Sequence, residues 1–169
     1  MRRAMSTAQL VPSAETEPTR SDTASSQRAR IAFRQPVSGT GFIDAAWWPR
    51  SRDLSTELPP LLDALGTVGC EITRFTYNLA AWEPAPRRLR IQGRTVRLGG
   101  FATSDPRTVR LCDAWARERL DLLVIAPGTE PSVAERALLL AGEPDGPYRA
   151  EEILARAADP ADHARVGAA

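Results

Sequence analysis

Lysine is missing from this chain. All 22 basic residues are arginine, set against 21 acidic residues, and the formal net charge is +1. A chain so balanced has no global field to draw it onto nucleic acid or an anionic membrane. With so much Ala, Pro and Gly, the arginine monopoly reads as GC-rich coding before it reads as selection for guanidinium chemistry.

Long apolar runs are missing too. None approaches the ~20 residues that a membrane helix needs. Residues 1–20 carry Arg2 and Arg3 but no apolar core of a secretory signal. The expectation is a soluble, cytoplasmic protein with no membrane partner. Cysteine is scarce: Cys70 and Cys112 make no disulfide framework and read as small buried or half-buried thiols. Histidine is nearly absent. His163 stands alone in a polar tail, so no His-based triad or metal cluster can be built in a core. No Cys-x-x-Cys or His-Glu pattern occurs. No catalytic residue, metal ligand or cofactor is assigned. Ser51 reads as a helix-entry cap and Asp44 as a partner for Arg50 or Arg52.

Three regions follow from composition. Residues 1–28 hold Ser, Thr, Ala, Pro, Glu and Arg with almost no large apolar side chains, too little to offset the entropy of ordering them. They are expected to be a disordered N-terminal arm. Residues 29–142 carry the periodic patterns of a single α+β domain. Residues 143–169 read as a loosely ordered tail, with Arg149–Ala158 as a short helix candidate anchored by Ile153 and Leu154.

Within the domain, "ARIAFRQP" and "GFIDAAWW" read as short extended pieces. Leu54, Leu58, Leu61, Leu62 and Leu65 then recur at helical spacing. Asp53 suits the N-cap and Gly66 the C′ position, while Pro59 and Pro60 predict a kink or a restart. After the helix the period drops to two. Phe75, Tyr77 and Leu79 share one face of a strand, and Phe101 is placed on the same apolar side. "RRLRIQGRTVRLGGF" is a hairpin; with Gly93-Arg94 as its loop, Arg90 faces Arg97. "RTVRLCD" and "ERLDLLVIAP" pair so that Leu111 faces Leu120 and Arg110 faces Asp121. A last helix starts near Thr129 or Ser132 and ends at Gly142. Short connections point to a mostly antiparallel sheet of about five to seven strands covered by two helices: an α+β two-layer sandwich.

The stretches "DAAWWPRSRDLSTELPPLLDALG", "YNLAAWEPAPRRLRIQGRTVRLGGF" and "LDLLVIAP" resemble a family of small actinobacterial proteins. Trp-Trp-Pro-Arg-Ser and Tyr-Asn-x-x-x-Trp are its most specific motifs, and the likeness spans about residues 30–142. The family is a domain of unknown function. The resemblance implies one bacterial, cytoplasmic domain and carries over no activity.

Two features carry functional expectations. Trp47 and Trp48 are adjacent, so an extended backbone sends them to opposite faces. One then plugs a sheet–helix junction. The other either packs under the N-terminal arm or joins Arg50 and Trp82 as a stacking wall for a ligand or partner. The second feature is arginine density: Arg87, Arg88, Arg90, Arg94, Arg97, Arg107 and Arg110 lie together with Asp105 as the only acid between them. Either carboxylates lace this face, or it binds an anionic small molecule or nucleic acid. The first functional reading is a non-catalytic binding or interaction domain, with a protein partner or a second copy contacted through Trp47 or Trp48, Arg50 and Trp82. The alternative is an anion-binding face built on Arg90, Arg97 and Arg110. The third is a hydrolase-like enzyme without histidine, in which Asp44, Tyr77 or Asp121 converge with arginine.

Overall fold

Ala45 and Trp47 point to one face of strand Ala45–Trp47, and Ala46 and the following Trp48 to the other, yet all four are buried. A strand buried on both sides needs cover on both sides, and this requirement organises the molecule. The computed structural model describes residues 28–34, 43–113, 119–145 and 149–159. The expected disordered arm falls outside these residues apart from Arg28, as do residues 160–169 with His163.

The elements run β1 (Ile31–Phe33), β2 (Ala45–Trp47), α1 (Leu54–Thr67), β3 (Arg74–Asn78), β4 (Arg88–Ile91), β5 (Arg94–Phe101), β6 (Thr108–Cys112), β7 (Arg119–Val124), α2 (Pro131–Gly142) and α3 (Ala150–Ala158). The seven strands form one sheet in the order β1-β2-β7-β6-β3-β5-β4. It is a mixed sheet: β2 lies parallel to β7, and β3 parallel to β5. The expectation of a mostly antiparallel sheet is therefore corrected. Its premise, that the connections are too short to cross over, fails at the long connection after β2, and residues 79–87 carry the chain from β3 to the edge strand β4, so that β5 returns between them parallel to β3. The chain between Trp47 and Arg74 contains all of α1 and carries β2 over to β3, which runs the same way two strands beyond β7.

The two-layer picture is corrected as well. Leu54, Leu58, Leu61 and Leu65 of α1 pack with Trp47, Phe75, Val96, Leu111 and Leu122 on one face of the sheet. On the other face, Ala134, Ala137 and Ala141 of α2 and Ile153 and Ala157 of α3 enclose Ala46, Trp48, Leu123 and Ile125. The short helix expected within the tail at Arg149–Ala158 is present as Ala150–Ala158, and it is packed against the second core. Two cores flank the sheet. The second covers only its β1-β2-β7 side, so β6, β3, β5 and β4 present one face to solvent.

Local chemistry accounts for most boundaries. Asp53 caps α1, accepting the Ser55 N–H at 2.8 Å and the Thr56 hydroxyl at 2.7 Å. The helix runs through Pro59 and Pro60 and ends past Gly66; Gly69, at φ +83°, makes the left-handed exit. Glu130, rather than Thr129 or Ser132, caps α2 by accepting the Val133 N–H. Ser51 is fixed by the buried Glu57, whose carboxylate accepts its N–H and its hydroxyl, both at 2.9 Å.

The β6–β7 register matches the expectation from sequence: Leu111 faces Leu120 and Arg110 faces Asp121. The β4–β5 hairpin does not. Its loop is Gln92-Gly93, both at positive φ, and the pairs are Leu89–Val96, Arg90–Thr95 and Arg88–Arg97. A two-residue turn with both φ values positive matches the twist of the strands. The slip keeps every residue on its face, because side chains alternate with period two. Phe101 and Leu79 also depart from expectation. Both are about half exposed, and Phe101 lies on the open face with Arg97.

Candidate functional site

The open half-sheet is polar because every strand crossing it alternates. Arg74, Thr76 and Asn78 of β3, Arg88 and Arg90 of β4, Thr95 and Arg97 of β5, and Thr108, Arg110 and Cys112 of β6 lie opposite their apolar neighbours. Register then brings distant residues into one lane. Arg119 is opposite Cys112, Cys112 opposite Arg74, Arg74 opposite Arg97, and Arg97 opposite Arg88. Neighbouring strands lie ~4.8 Å apart, so three guanidiniums line up across adjacent strands. Arg74, Arg88 and Arg97 share a cavity of about 330 Å³ with Thr73, Thr95, Cys112 and Asp113.

The carboxylates serve other arginines. Asp121 takes both Arg110, at 2.7 Å, and Arg119. The bond to Asp121 holds the Arg119 guanidinium above its ordinary range. Glu71 takes Arg94 at 3.0 Å, and Asp105 takes Arg107 at 3.1 Å, which raises the Arg107 guanidinium in the same way. Among the described residues no carboxylate lies within 4.0 Å of Arg74, Arg88, Arg90 or Arg97. Like charges directly opposite one another destabilise a sheet. This lane has two such pairs in succession.

The arginines named from sequence thus separate. Arg97 is central to the lane, Arg90 borders it opposite Thr95, and Arg110 is paired away to Asp121. Arg74 and Arg88 complete the lane; Arg88 is one of the seven arginines grouped from sequence but not one of the three assigned to the anion-binding face, and Arg74 is in neither set. Their polar-face alternation is visible in the sequence, but the parallel β3–β5 pairing that brings Arg74 beside Arg97 is not a local property.

The tryptophans are placed differently. Trp47, Trp48 and Trp82 are all buried. Trp82 stacks on Trp47, centroids 5.2 Å apart and planes 16° from parallel, within the α1-side core. Trp48 belongs to the other core, with the Arg30 guanidinium 3.4 Å from its ring centroid. Arg30 also donates to the Trp48 and Pro49 carbonyls at 3.0 and 2.9 Å. Burial and the nearby Arg50 lower its pKa, and Glu57 opposes this. Arg50 donates to the Arg28 carbonyl at 2.8 Å. Trp48 and Trp82 therefore sit on opposite sides of the sheet and share no wall.

The candidates for histidine-free catalysis divide: Asp44 and Asp121 adjoin each other, with Arg110 and Arg119 on Asp121, and Tyr77 lies apart. Asp44 is buried and accepts the Asp121 N–H at 2.9 Å, while Tyr77 lies on the α1 side, across the sheet from Asp121. Among the described residues no group of three or more His, Cys, Asp or Glu side chains is placed to hold a metal ion. None of the described helices is long and apolar enough to cross a membrane.

A model for a family of unknown function (DUF5994) matches residues 30–141, from the approach to β1 almost to the end of α2. The chain belongs to this family. No curated protein and no solved structure matches it. Both cores of the family's domain are represented in the matched segment, and α3 lies beyond it.

Proposed function

We propose that the protein is a non-catalytic, cytoplasmic binding domain that holds a polyanionic ligand on the open half of its sheet, across Arg74, Arg97 and Arg88. The observation that carries this reading is the lane itself: three guanidiniums in direct cross-strand register, with no carboxylate within 4.0 Å among the described residues and the single carboxylate of Asp113 in the cavity that they share. Repulsion within the lane is relieved by anionic oxygens placed between the side chains. Each planar guanidinium offers a fork suited to phosphate or carboxylate. Cys70 and Cys112 are thiols rather than disulfide partners, which accords with a reducing compartment. A protein partner or second copy gains less support, because that reading rests on a solvent-exposed tryptophan and the three described tryptophans are buried.

Phe101 favours single-stranded nucleic acid among the polyanions. It is 54% exposed on the same face as Arg97, further along β5. A base stacked on an aromatic ring contributes ~1–3 kcal/mol without sequence preference. Two probes separate the readings: inorganic tripolyphosphate and a labelled single-stranded oligouridylate, titrated over a salt series. Arg97→Ala weakens both, and the oligonucleotide slope falls by ~0.7 for each phosphate that the variant no longer neutralises. Phe101→Ala weakens only the oligonucleotide. Absence of binding to either probe at low salt overturns the proposal.

A further inference from the structure

β2 and β7 are adjacent and parallel, yet the helices that follow them leave in opposite directions. α1 follows β2 and covers one face; α2 follows β7 and covers the other, over β1 and β2. In open sheets, a crevice forms outside the carboxyl ends of two parallel strands whose connections diverge in this way, and ligands bind there. Here the crevice exists. A cavity of about 340 Å³ opens between the loop after β2, with Ser51 and Arg52, and the loop after β7, with Thr129. Trp82, Val124 and Leu154 of α3 are among its apolar walls.

We infer that this crevice is a second binding site, separate from the arginine lane, for a small monocarboxylate with an apolar body. Charge decides the head group. Asp53 and Glu130 already cap the N-termini of α1 and α2, so recognition falls to side chains. Arg107 is neutralised by Asp105, and the buried Glu57 carboxylate lies near Arg30. Arg52 remains, an exposed guanidinium with no carboxylate within 4.0 Å among the described residues. One unmatched positive charge suits one negative charge, and a guanidinium fork fits a carboxylate. Ser51, tied to Glu57, keeps the Arg52 loop rigid, so little order is lost on binding. Trp82 lines the wall and is 7% exposed, and its indole N–H is buried with no acceptor among the described residues. Buried donors ordinarily have partners.

The test is a ¹H–¹⁵N NMR titration of the full chain with hexanoate, benzoate and phenyl phosphate. The expected result is saturable shifts at the Arg52 and Thr129 amides and at the Trp82 indole, with benzoate or hexanoate binding more tightly than phenyl phosphate. Arg52→Gln weakens this binding by about tenfold or more, and Arg97→Ala leaves it unchanged. Arg52 is exposed, so an unaltered amide spectrum and Tm establish that its variant is folded. Tighter binding of phenyl phosphate overturns the monocarboxylate assignment. Shifts centred on the arginine lane, unchanged affinity in Arg52→Gln, or no saturable shift at millimolar acid overturn the site.

Discussion

Trp47 and Trp82 lie ring on ring, 5.2 Å between centroids, and close the end of the α1-side core that Leu54, Leu58 and Phe75 share. Trp48, one residue away in sequence, closes the other core beneath Arg30. Neighbours in the chain pack into different cores, whereas residues far apart in the chain are in contact.

A double-mutant cycle checks this partition. Trp47→Leu and Trp82→Leu are each expected to destabilise, by less than the ~3–5 kcal/mol of truncation to alanine. Their combination should show a coupling of ~0.5–1.5 kcal/mol from the lost stack. The Trp48→Leu and Trp82→Leu pair should add without coupling, since the two rings belong to different cores. Urea denaturation of the five variants measures both terms. Equal coupling in both pairs would mean that the two cores respond as one.

The arginine lane should cost stability, and Arg97 sits at its centre between Arg74 and Arg88. Arg97→Thr removes two like-charge pairs, each worth ~0.2–1 kcal/mol, and installs a residue that favours strands. Stability is therefore expected to rise by ~0.5–1 kcal/mol at low salt. Salt screens exposed charges, so the gain should shrink towards zero near 1 M, where the Debye length is ~3 Å. Urea midpoints at two ionic strengths decide it. A loss of stability at low salt would show that the Arg97 stem packs more than its charge repels.

How much of this is legible in the sequence divides along the reach of each interaction. The leucine stripe of α1, the Asp53 cap and the Arg110–Asp121 register depend on residues close in the chain, and all three are readable. Sequence alternation puts the β4–β5 hairpin two residues out of register but on the right faces, because the pattern survives an even slip. What cannot be read is nonlocal. The neighbours of β2 and β3 are fixed only when the β2–α1–β3 crossover is laid over β7 and β6, which makes β2 parallel to β7; a second nonlocal step, the chain skipping from β3 to the edge strand β4, makes β5 parallel to β3. The second step puts Arg74 beside Arg97, and the first leaves the crevice between the loops after β2 and β7. The adjacent tryptophans signal opposite faces correctly. Cover for the second face comes from α2 and from α3; the short helix of α3 is readable in the sequence, but its packing on the sheet is not.

Two glycines test the turn assignments with opposite signs. Gly66 lies within α1, and a methyl group added to it would have nothing within 4 Å. Gly93 holds φ +79° in the hairpin turn, also with open space around it. Gly66→Ala should stabilise by ~0.5–1 kcal/mol through the helix and the unfolded chain. Gly93→Ala should destabilise by ~1 kcal/mol, because an L side chain is strained at positive φ. Thermal unfolding of both variants reads the signs directly. A stabilised Gly93→Ala would mean that Gly93 does not hold a positive φ in the hairpin turn.

Asp53 gives the pH dependence. Its carboxylate is held below its ordinary range, first by the Thr56 hydroxyl and then by the Ser55 N–H, against a smaller opposing effect of burial. A depressed folded-state pKa contributes stability that is fully present above the unfolded value of ~3.9 and is lost as pH falls through the folded value. Asp53→Ala is accordingly expected to cost ~1 kcal/mol at neutral pH, the usual worth of an N-cap. The gap between wild type and variant should stay flat down to about pH 5 and close below about pH 4, as wild type becomes protonated. Asp53→Asn retains an acceptor for the Ser55 N–H without a titrating group, so its stability should not fall by this route. Chemical denaturation of the three proteins from neutral to acid pH measures the gap. A wild type–alanine difference that persists unchanged to low pH would place the Asp53 contribution in its geometry rather than its charge.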